Sequence, residues 1–303
     1  MASANIASSS LEVAANSTYT ITFKNTNPLP AGSSISIGFP SDFPLAIGAS
    51  LASISIAGVS RTCTMTIISN MNFSIGSGTC IPSSVPSQST FIISFSNIIN
   101  PYSTKPSNSL TIQTYYNNLL MEYMYNSIVI TLTTAKGLFS TSIASLSNIV
   151  NAVTTYTFTI GFSLTHYSGD RILLTIPSLM SFNTGLTCSS LTSGISVSCF
   201  QSSTTLLVLT MSGSGALSNS ITFSVSNLQN PWYSTSPIFT FDTTTSDSIY
   251  YFMEKGTASF SISSTTLIAS YVPNNQLVLL SSSTLNIQIT NPFNINAPVP
   301  SLL

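Results

Sequence analysis

The chain has 303 residues, a formal net charge of −1 and only 4% charged residues, far below the roughly 25% of ordinary globular proteins. Its two arginines, Arg61 and Arg171, stand far apart in sequence, so no cationic patch is available for a phosphate backbone and nucleic-acid binding is excluded. Hydrophobic residues make up 43%, too many at this low charge for a disordered chain, and no apolar run of about eighteen residues marks a membrane-spanning helix.

The opening "MASANIASSS" has no basic segment leading into an apolar stretch and reads as a mature or trimmed start. "STYTITFK" then sets Tyr19, Ile21 and Phe23 on one face and Thr18, Thr20 and Thr22 on the other, the period-two signature of a strand. A turn at Pro-Ala-Gly separates it from a second strand that carries Ile35, Ile37 and Phe39. "TFIISFSNIINPY" alternates Phe91, Ile93 and Phe95. "NNLLMEYMYNS" fits a short helix or a pair of strands.

After these elements the chain starts again. Tyr156, Phe158 and Ile160 stand 137 positions after Tyr19, Ile21 and Phe23, and Gly169 stands 137 after Gly32. Further on, the offset becomes 130: Asn97 matches Asn227, and Asn100-Pro101 matches Asn230-Pro231. The lost residues fall in the middle of the unit, where loops absorb them. A third start follows, with "IAS" at Ile6, Ile143 and Ile268, and Leu285, Ile287 and Ile289 repeating the Tyr19 pattern. Residues 1–134 and 135–263 are therefore expected to be two units, and 264–303 the opening of a third. Short alternating segments, seven to nine per unit, predict an all-β fold of tandem immunoglobulin-like β-sandwiches.

Each unit has two cysteines, Cys63 and Cys80, then Cys188 and Cys199. Their spacing lacks the close pairing of a zinc site, so no metal is expected. One disulfide per unit suits an oxidising compartment, with Cys80 following and Cys188 preceding its partner, so that the bridges staple different loops; the alternative is four buried thiols. Asn16 in "NST" and Asn72 in "NFS" are glycosylation sequons, and covalent glycans are expected.

Catalytic chemistry has little to draw on. Of the seven acids only Asp242 and Asp247 are near neighbours, on a Thr-rich turn that reads as a solvated hairpin. His166, the one histidine, stands four residues before Asp170 in "LTHYSGDR". No nucleophile elbow supports a Ser-His-Asp triad, and the aligned stretch of the first unit is an ordinary loop, so a loop histidine is expected. No enzyme activity and no cofactor are expected. Trp232 and Tyr233 follow Asn230-Pro231 as Tyr102 follows Asn100-Pro101; they either cap the end of the core or form a loop on which a sugar stacks.

"TNPLPAGSSISIGFPSDF" resembles repeats in large extracellular proteins of protists and other microbes, strings of immunoglobulin-like domains on cell surfaces or in filaments. "THYSGDRILLTIP" in the second unit keeps the Gly and the Ile-Pro end but loses Pro-Ala. The resemblance implies a structural or adhesive role at the cell surface or outside the cell, and no catalytic residues.

In the tail, "QLVLL" and "TLNIQI" carry apolar faces through Leu277, Val278, Leu279, Leu285, Ile287 and Ile289. Two strands alone do not make a stable sandwich. Scarce charge leaves sheet edges poorly protected against pairing. The sequence therefore predicts a structural subunit that assembles head to tail with copies of itself into an extracellular fibre, through these terminal segments. The alternative is an adhesin module that binds glycan or protein through loops such as that at Trp232. A membrane β-barrel would share the alternation but not the duplication or the paired cysteines.

Overall fold

A computed structural model describes residues 1, 3–44, 48–69, 71–76, 80–125 and 128–264, and the backbone of the strands Ile268–Pro273 and Leu285–Thr290. No helix occurs among the described residues. The strands form two sandwiches of two sheets each, and a separate two-stranded sheet.

In the first sandwich, one sheet orders Ser3–Ser8, Asn16–Lys24, Thr90–Ile99, Ser50–Ile56 and Val59–Ser60. The facing sheet orders Leu119–Met124, Thr111–Tyr116, Ser34–Gly38, Asn72–Ile75 and Met65–Ser69. In the second, one sheet runs Ser140–Ser145, Val153–Gly161 and Ser220–Gln229, whose far edge takes the short strands Ser181–Phe182 and Cys188–Ser190. Its partner orders Lys136–Gly137, Phe252–Ser259, Ile238–Thr244, Arg171–Thr175, Leu206–Gly213 and Ile195–Gln201. All pairings within these sheets are antiparallel except that of Lys136–Gly137 with Phe252–Ser259. Within the segment "NNLLMEYMYNS" the residues Leu119–Met124 are the second arm of a hairpin, not a helix. Asn117 and Asn118 both take positive φ at its tip, as a two-residue type I′ turn requires.

Alternation decides the core. Tyr19, Ile21, Phe23, Phe91, Ile93 and Phe95 are fully buried from one sheet of the first sandwich, and Tyr156, Phe158, Ile160, Ile221, Phe223 and Val225 are their counterparts. The Thr and Ser between them lie on the outer face, where pairs such as Thr20–Ser94 and Thr159–Thr222 hydrogen-bond across strands at 3.0 Å. Each fully buried Phe, Leu or Ile contributes about 1.5–3 kcal/mol.

The repeat extends to the backbone. Gly32 and Gly169 both take positive φ in the turn before the third long strand, a conformation that a Cβ disfavours. Asn97 and Asn227 both have φ of 59°, each close to a register shift between its strand and the neighbour; Asn tolerates that region better than most residues. The offset changes because the first unit has the hairpin Ser50–Ile56 and Val59–Ser60, where the second has only the two short strands.

The two cores reach similar volume by different residues. In the first, Ile37 on the central strand is flanked by Phe73 on one side and Ile112 on the other. In the second, the equivalent Leu174 is flanked by Leu207 and Phe241. The aromatic ring has moved to the opposite neighbour, a volume-conserving exchange of the kind that cores accept. Phe241 packs edge-on to Phe158 at 5.7 Å.

Both disulfides are present, Cys63–Cys80 and Cys188–Cys199, and no described cysteine is free. Cys63 and Cys80 flank the hairpin Met65–Ser69 and Asn72–Ile75. Cys188 lies in one sheet of the second sandwich and Cys199 in the other. The second bridge therefore joins two sheets rather than stapling loops, because the short edge strand at Cys188 pairs with Ser220–Gln229. With separations of 17 and 11 residues, loop entropy assigns each about 3 kcal/mol.

The aromatic exchange is testable. Phe73→Leu opens a cavity and lowers the unfolding free energy by about 1 kcal/mol or more. Adding Ile112→Phe recovers part of that loss in denaturant titration, whereas strictly additive losses in the double variant contradict a shared volume.

Candidate functional site

Among the described residues, ionisable side chains converge most closely at His166. The ring is buried, 1% exposed. Its Nδ1 lies 3.3 Å from Asp170 Oδ2 and its Nε2 2.8 Å from Glu254 Oε2. Asp170 also accepts the Tyr167 N–H at 2.9 Å, and the other Glu254 oxygen accepts the Ser163 N–H at 2.5 Å. His166 thus lies in a loop, as the sequence suggests, and is buried there. Both ring nitrogens face carboxylates, which leaves neither to activate a serine. Burial opposes the charged ring, but the hydrogen bonds and charges of Asp170 and Glu254 outweigh it and raise the His166 pKa above the ordinary histidine value. The cluster ties the loop after Val153–Gly161 to the strand Phe252–Ser259.

Its core is repeated. In the first sandwich Glu122 is buried and accepts the N–H groups of Thr26 and Asn27, as Glu254 accepts Ser163 137 positions after Thr26. Leu29 occupies the histidine's place there and is buried in the apolar core. Sequence reasoning missed these two glutamates. The signal was the recurring dipeptide Met-Glu, at Met121-Glu122 and Met253-Glu254.

Asp242 and Asp247 do not act as a pair. Asp242 sits on a strand opposite Lys255; burial pushes its carboxyl up and Lys255 offsets part of that. It lines a cleft of about 260 Å³ with Thr133, Ala135, Phe252 and Lys255. Asp247 lies on the hairpin loop, held below the usual carboxylate range by Lys105, 2.9 Å away, and by the Thr245 hydroxyl.

That loop makes the contact between the sandwiches. The Phe252 N–H donates to Thr104 Oγ1, and the Phe252 carbonyl accepts the Thr104 N–H, both at 2.8 Å. Lys105 Nζ stands 5.8 Å from the Tyr251 ring centre. Leu164 and Met253 of the second sandwich are buried in the core cluster of the first. Arg171 braces the loop from behind by donating to the carbonyls of Asp247 at 2.6 Å and Ser246 at 3.3 Å.

The corner that presents Thr104 and Lys105 follows a buried latch. The Tyr19 hydroxyl donates to Asn100 Oδ1, and Asn100 Nδ2 donates to the carbonyls of Ser10 and Glu12. In the second sandwich Tyr156 donates to Asn230 Oδ1 at 2.5 Å, and Asn230 Nδ2 to Ser147 and Ile149 at 3.1 and 2.7 Å. Trp232 and Tyr233 follow this second latch. They are exposed, so they do not cap the core.

Asn16 and Asn72 are exposed at the start of their strands. Leu277, Val278 and Leu279 lie outside the described residues. Leu285, Ile287 and Ile289 fall on the strand Leu285–Thr290, which pairs antiparallel with Ile268–Pro273 and, among the described residues, with no other strand.

His166 carries a testable pH dependence. Because its folded pKa is raised, its contribution is complete below the unfolded value of about 6.5 and fades as the pH climbs through the folded one. The melting midpoint of the second sandwich is expected to fall above neutral pH, and His166→Leu to remove that trend. The same substitution strands two buried carboxylates at a cost of about 3–5 kcal/mol. A wild-type midpoint flat from pH 6 to 9 contradicts the assignment.

No family model and no curated protein matches the sequence. Solved structures superpose on it loosely. The C-terminal domain of the AgI/II polypeptide BspA of Streptococcus agalactiae covers 87% of this chain and 100% of its own length, at 7% identity and a TM-score of 0.32. The serine-rich repeat protein Srr2 of the same species covers 85% of this chain and 92% of its own, at 10% identity and a TM-score of 0.29. A cohesin module from a Clostridium perfringens family 33 glycoside hydrolase covers 43% of this chain and 100% of its own, at 11% identity and a TM-score of 0.31. The sandwich assignment rests on the sheets themselves.

Proposed function

We propose that the chain is a non-catalytic extracellular module of a cell-surface or fibre protein, built of repeat units at 1–134 and 135–263 with a third opening at 264–303. The observation that carries this reading is the duplication of buried polar anchors, Tyr19–Asn100 with Tyr156–Asn230 and Glu122 with Glu254, in sandwiches that each hold a disulfide. Those anchors serve the frame and face inward. The disulfides support an oxidising compartment, and exposed Asn16 and Asn72 suit covalent glycans.

Glycan or protein adhesion is the second reading, favoured by the exposed Trp232 and Tyr233 beyond the latch. An aromatic face on a rigid corner stacks on a sugar ring.

Two measurements test these readings. Mass spectrometry of secreted protein without reduction is expected to find both bridges and glycan on Asn16 and Asn72; free thiols in protein recovered from its native source contradict an extracellular module. On a glycan array, adhesion predicts binding that Trp232→Ala abolishes, and an array without signal removes the glycan form of that reading.

A further inference from the structure

We propose that the cleft on the outer face of the first sandwich is the seat of the protein's own glycan, an oligosaccharide carried on Asn72 that folds back along the sheet. The proposal rests on the extracellular reading, which makes Asn72 a glycan acceptor, and adds where the sugar goes and what holds it.

The cleft measures about 330 Å³ and is lined by Ser34, Ser36, Ile68, Ser74, Tyr115 and Asn118. Strand register sets its floor: Ser34 opposes Tyr115, and Ser36 opposes Ser74. Asn72 precedes Ser74 by two residues on the same strand, so it stands on the same face, about 7 Å along. Its side chain lies over Gly38, where a Cβ would collide with Asn72 Oδ1. Its Nδ2 donates to Ser69 Oγ at 2.8 Å, and Ser69 adjoins Ile68, a wall of the cleft. Ser69 uses one amide hydrogen, and glycosylation replaces the other. In that step Nδ2 bonds to C1 of the innermost sugar and gives up a proton, while the lipid-linked diphosphate of the sugar donor leaves. The glycan therefore starts beside the cleft, on the face that holds it.

The lining suits an N-acetylhexosamine. The Tyr115 hydroxyl donates to Gln113 Oε1 at 2.8 Å, which fixes the ring. Together with Ile68, 64% exposed, that ring offers apolar surface to the C–H face of a sugar. The serine hydroxyls and the Asn118 amide supply donors and acceptors for its hydroxyl and acetamido groups. Apolar walls with a few polar groups between them are the usual make-up of a small-ligand site.

The second sandwich shows the same face without an acceptor. Leu173 and Val208 stand where Ser36 and Ser74 stand, paired in the same register, and both are buried. Arg171 replaces Ser34, and Leu206 takes the place of Asn72. The serine floor and the glycan acceptor thus occur together in one sandwich and are replaced together in the other. Tethering then selects the occupant. A group attached beside its site competes at a roughly millimolar effective concentration, ahead of a free sugar of ordinary weak affinity.

The test uses the full chain secreted from a host that attaches oligomannose glycans. An endoglycosidase that cuts between the two innermost N-acetylglucosamines is applied to the native protein, and mass spectrometry follows each site. The Asn72 glycan is expected to leave about tenfold or more slowly than from the unfolded protein, a ratio that corresponds to about 1.4 kcal/mol. Ser36→Leu, which installs the second sandwich's residue on the floor, keeps the sequon and abolishes that protection. Tyr115→Ser does the same from the wall. Circular dichroism checks that both variants fold, and release at Asn16 keeps its wild-type rate in both. Equal release from native and unfolded wild type overturns the proposal. So does protection that both variants retain, or a bare Asn72 beside an occupied Asn16. None of these failures touches the extracellular reading, which fails instead if Asn16 is bare as well and the cysteines are free thiols.

Discussion

The structure depends on a hydrogen bond between a buried tyrosine and a buried asparagine, made once in each sandwich. Tyr19 and Tyr156 lie fully buried in strands that run through the core, and each needs a partner for its hydroxyl. Asn100 and Asn230 supply it at the end of a neighbouring strand, and their amide groups reach back to two carbonyls of the incoming chain. Their own backbone N–H groups donate to Ala15 and Ala152 at 2.9 Å. One residue thus joins a core strand, an edge segment and the turn that follows. Leaving any of these groups buried and unpaired costs about 1–3 kcal/mol, so the corner after each asparagine has little freedom. That rigidity is what turns Tyr102, and later Trp232, into a defined surface.

Scarce charge gives the fold its character. With 4% charged residues, buried polar groups are met mainly by amides, hydroxyls and backbone. The exceptions are placed at the loop that leaves the second long strand of each unit, where Glu122 and Glu254 collect backbone N–H groups. The second sandwich adds His166 between Glu254 and Asp170 where the first has Leu29. A ring hydrogen-bonded to two carboxylates holds its place only as a set, since removing one member strands the others. The first unit makes the same turn with apolar packing instead. The two sandwiches share a frame and differ in how they fill it, as the move of the aromatic ring from Phe73 to Phe241 also shows.

Much of this frame was readable from the chain. Alternation at Tyr19, Ile21 and Phe23 identified buried faces because a half-buried strand must alternate. The offset found Gly32 with Gly169 and Asn97 with Asn227, whose backbone angles agree. Other features were not readable. Alternation does not say which polar residue is buried, so Glu122 and Glu254 went unassigned and His166 read only as a loop residue. It does not say which sheet a strand joins, so the bridge from Cys188 to Cys199 read as a loop staple. Core capping was one of two readings of Trp232, because its neighbours Pro231 and Asn230 are indeed buried and one residue separates inside from outside at that turn. The apolar residues at Leu277, Val278 and Leu279 drew attention to the tail, while exposed Leu119 and Leu120 were hidden inside a segment that fits helix or strand.

The joint between the sandwiches links fold to function. A hairpin tip of the second sandwich seats on the corner of the first that the Tyr19–Asn100 latch holds. Hydrogen exchange followed by mass spectrometry, on wild type and on Tyr19→Phe, tests this most directly. The account predicts that loss of the Tyr19 hydroxyl speeds exchange of the Asn100 and Thr104 amides together. Unchanged exchange at both amides contradicts it.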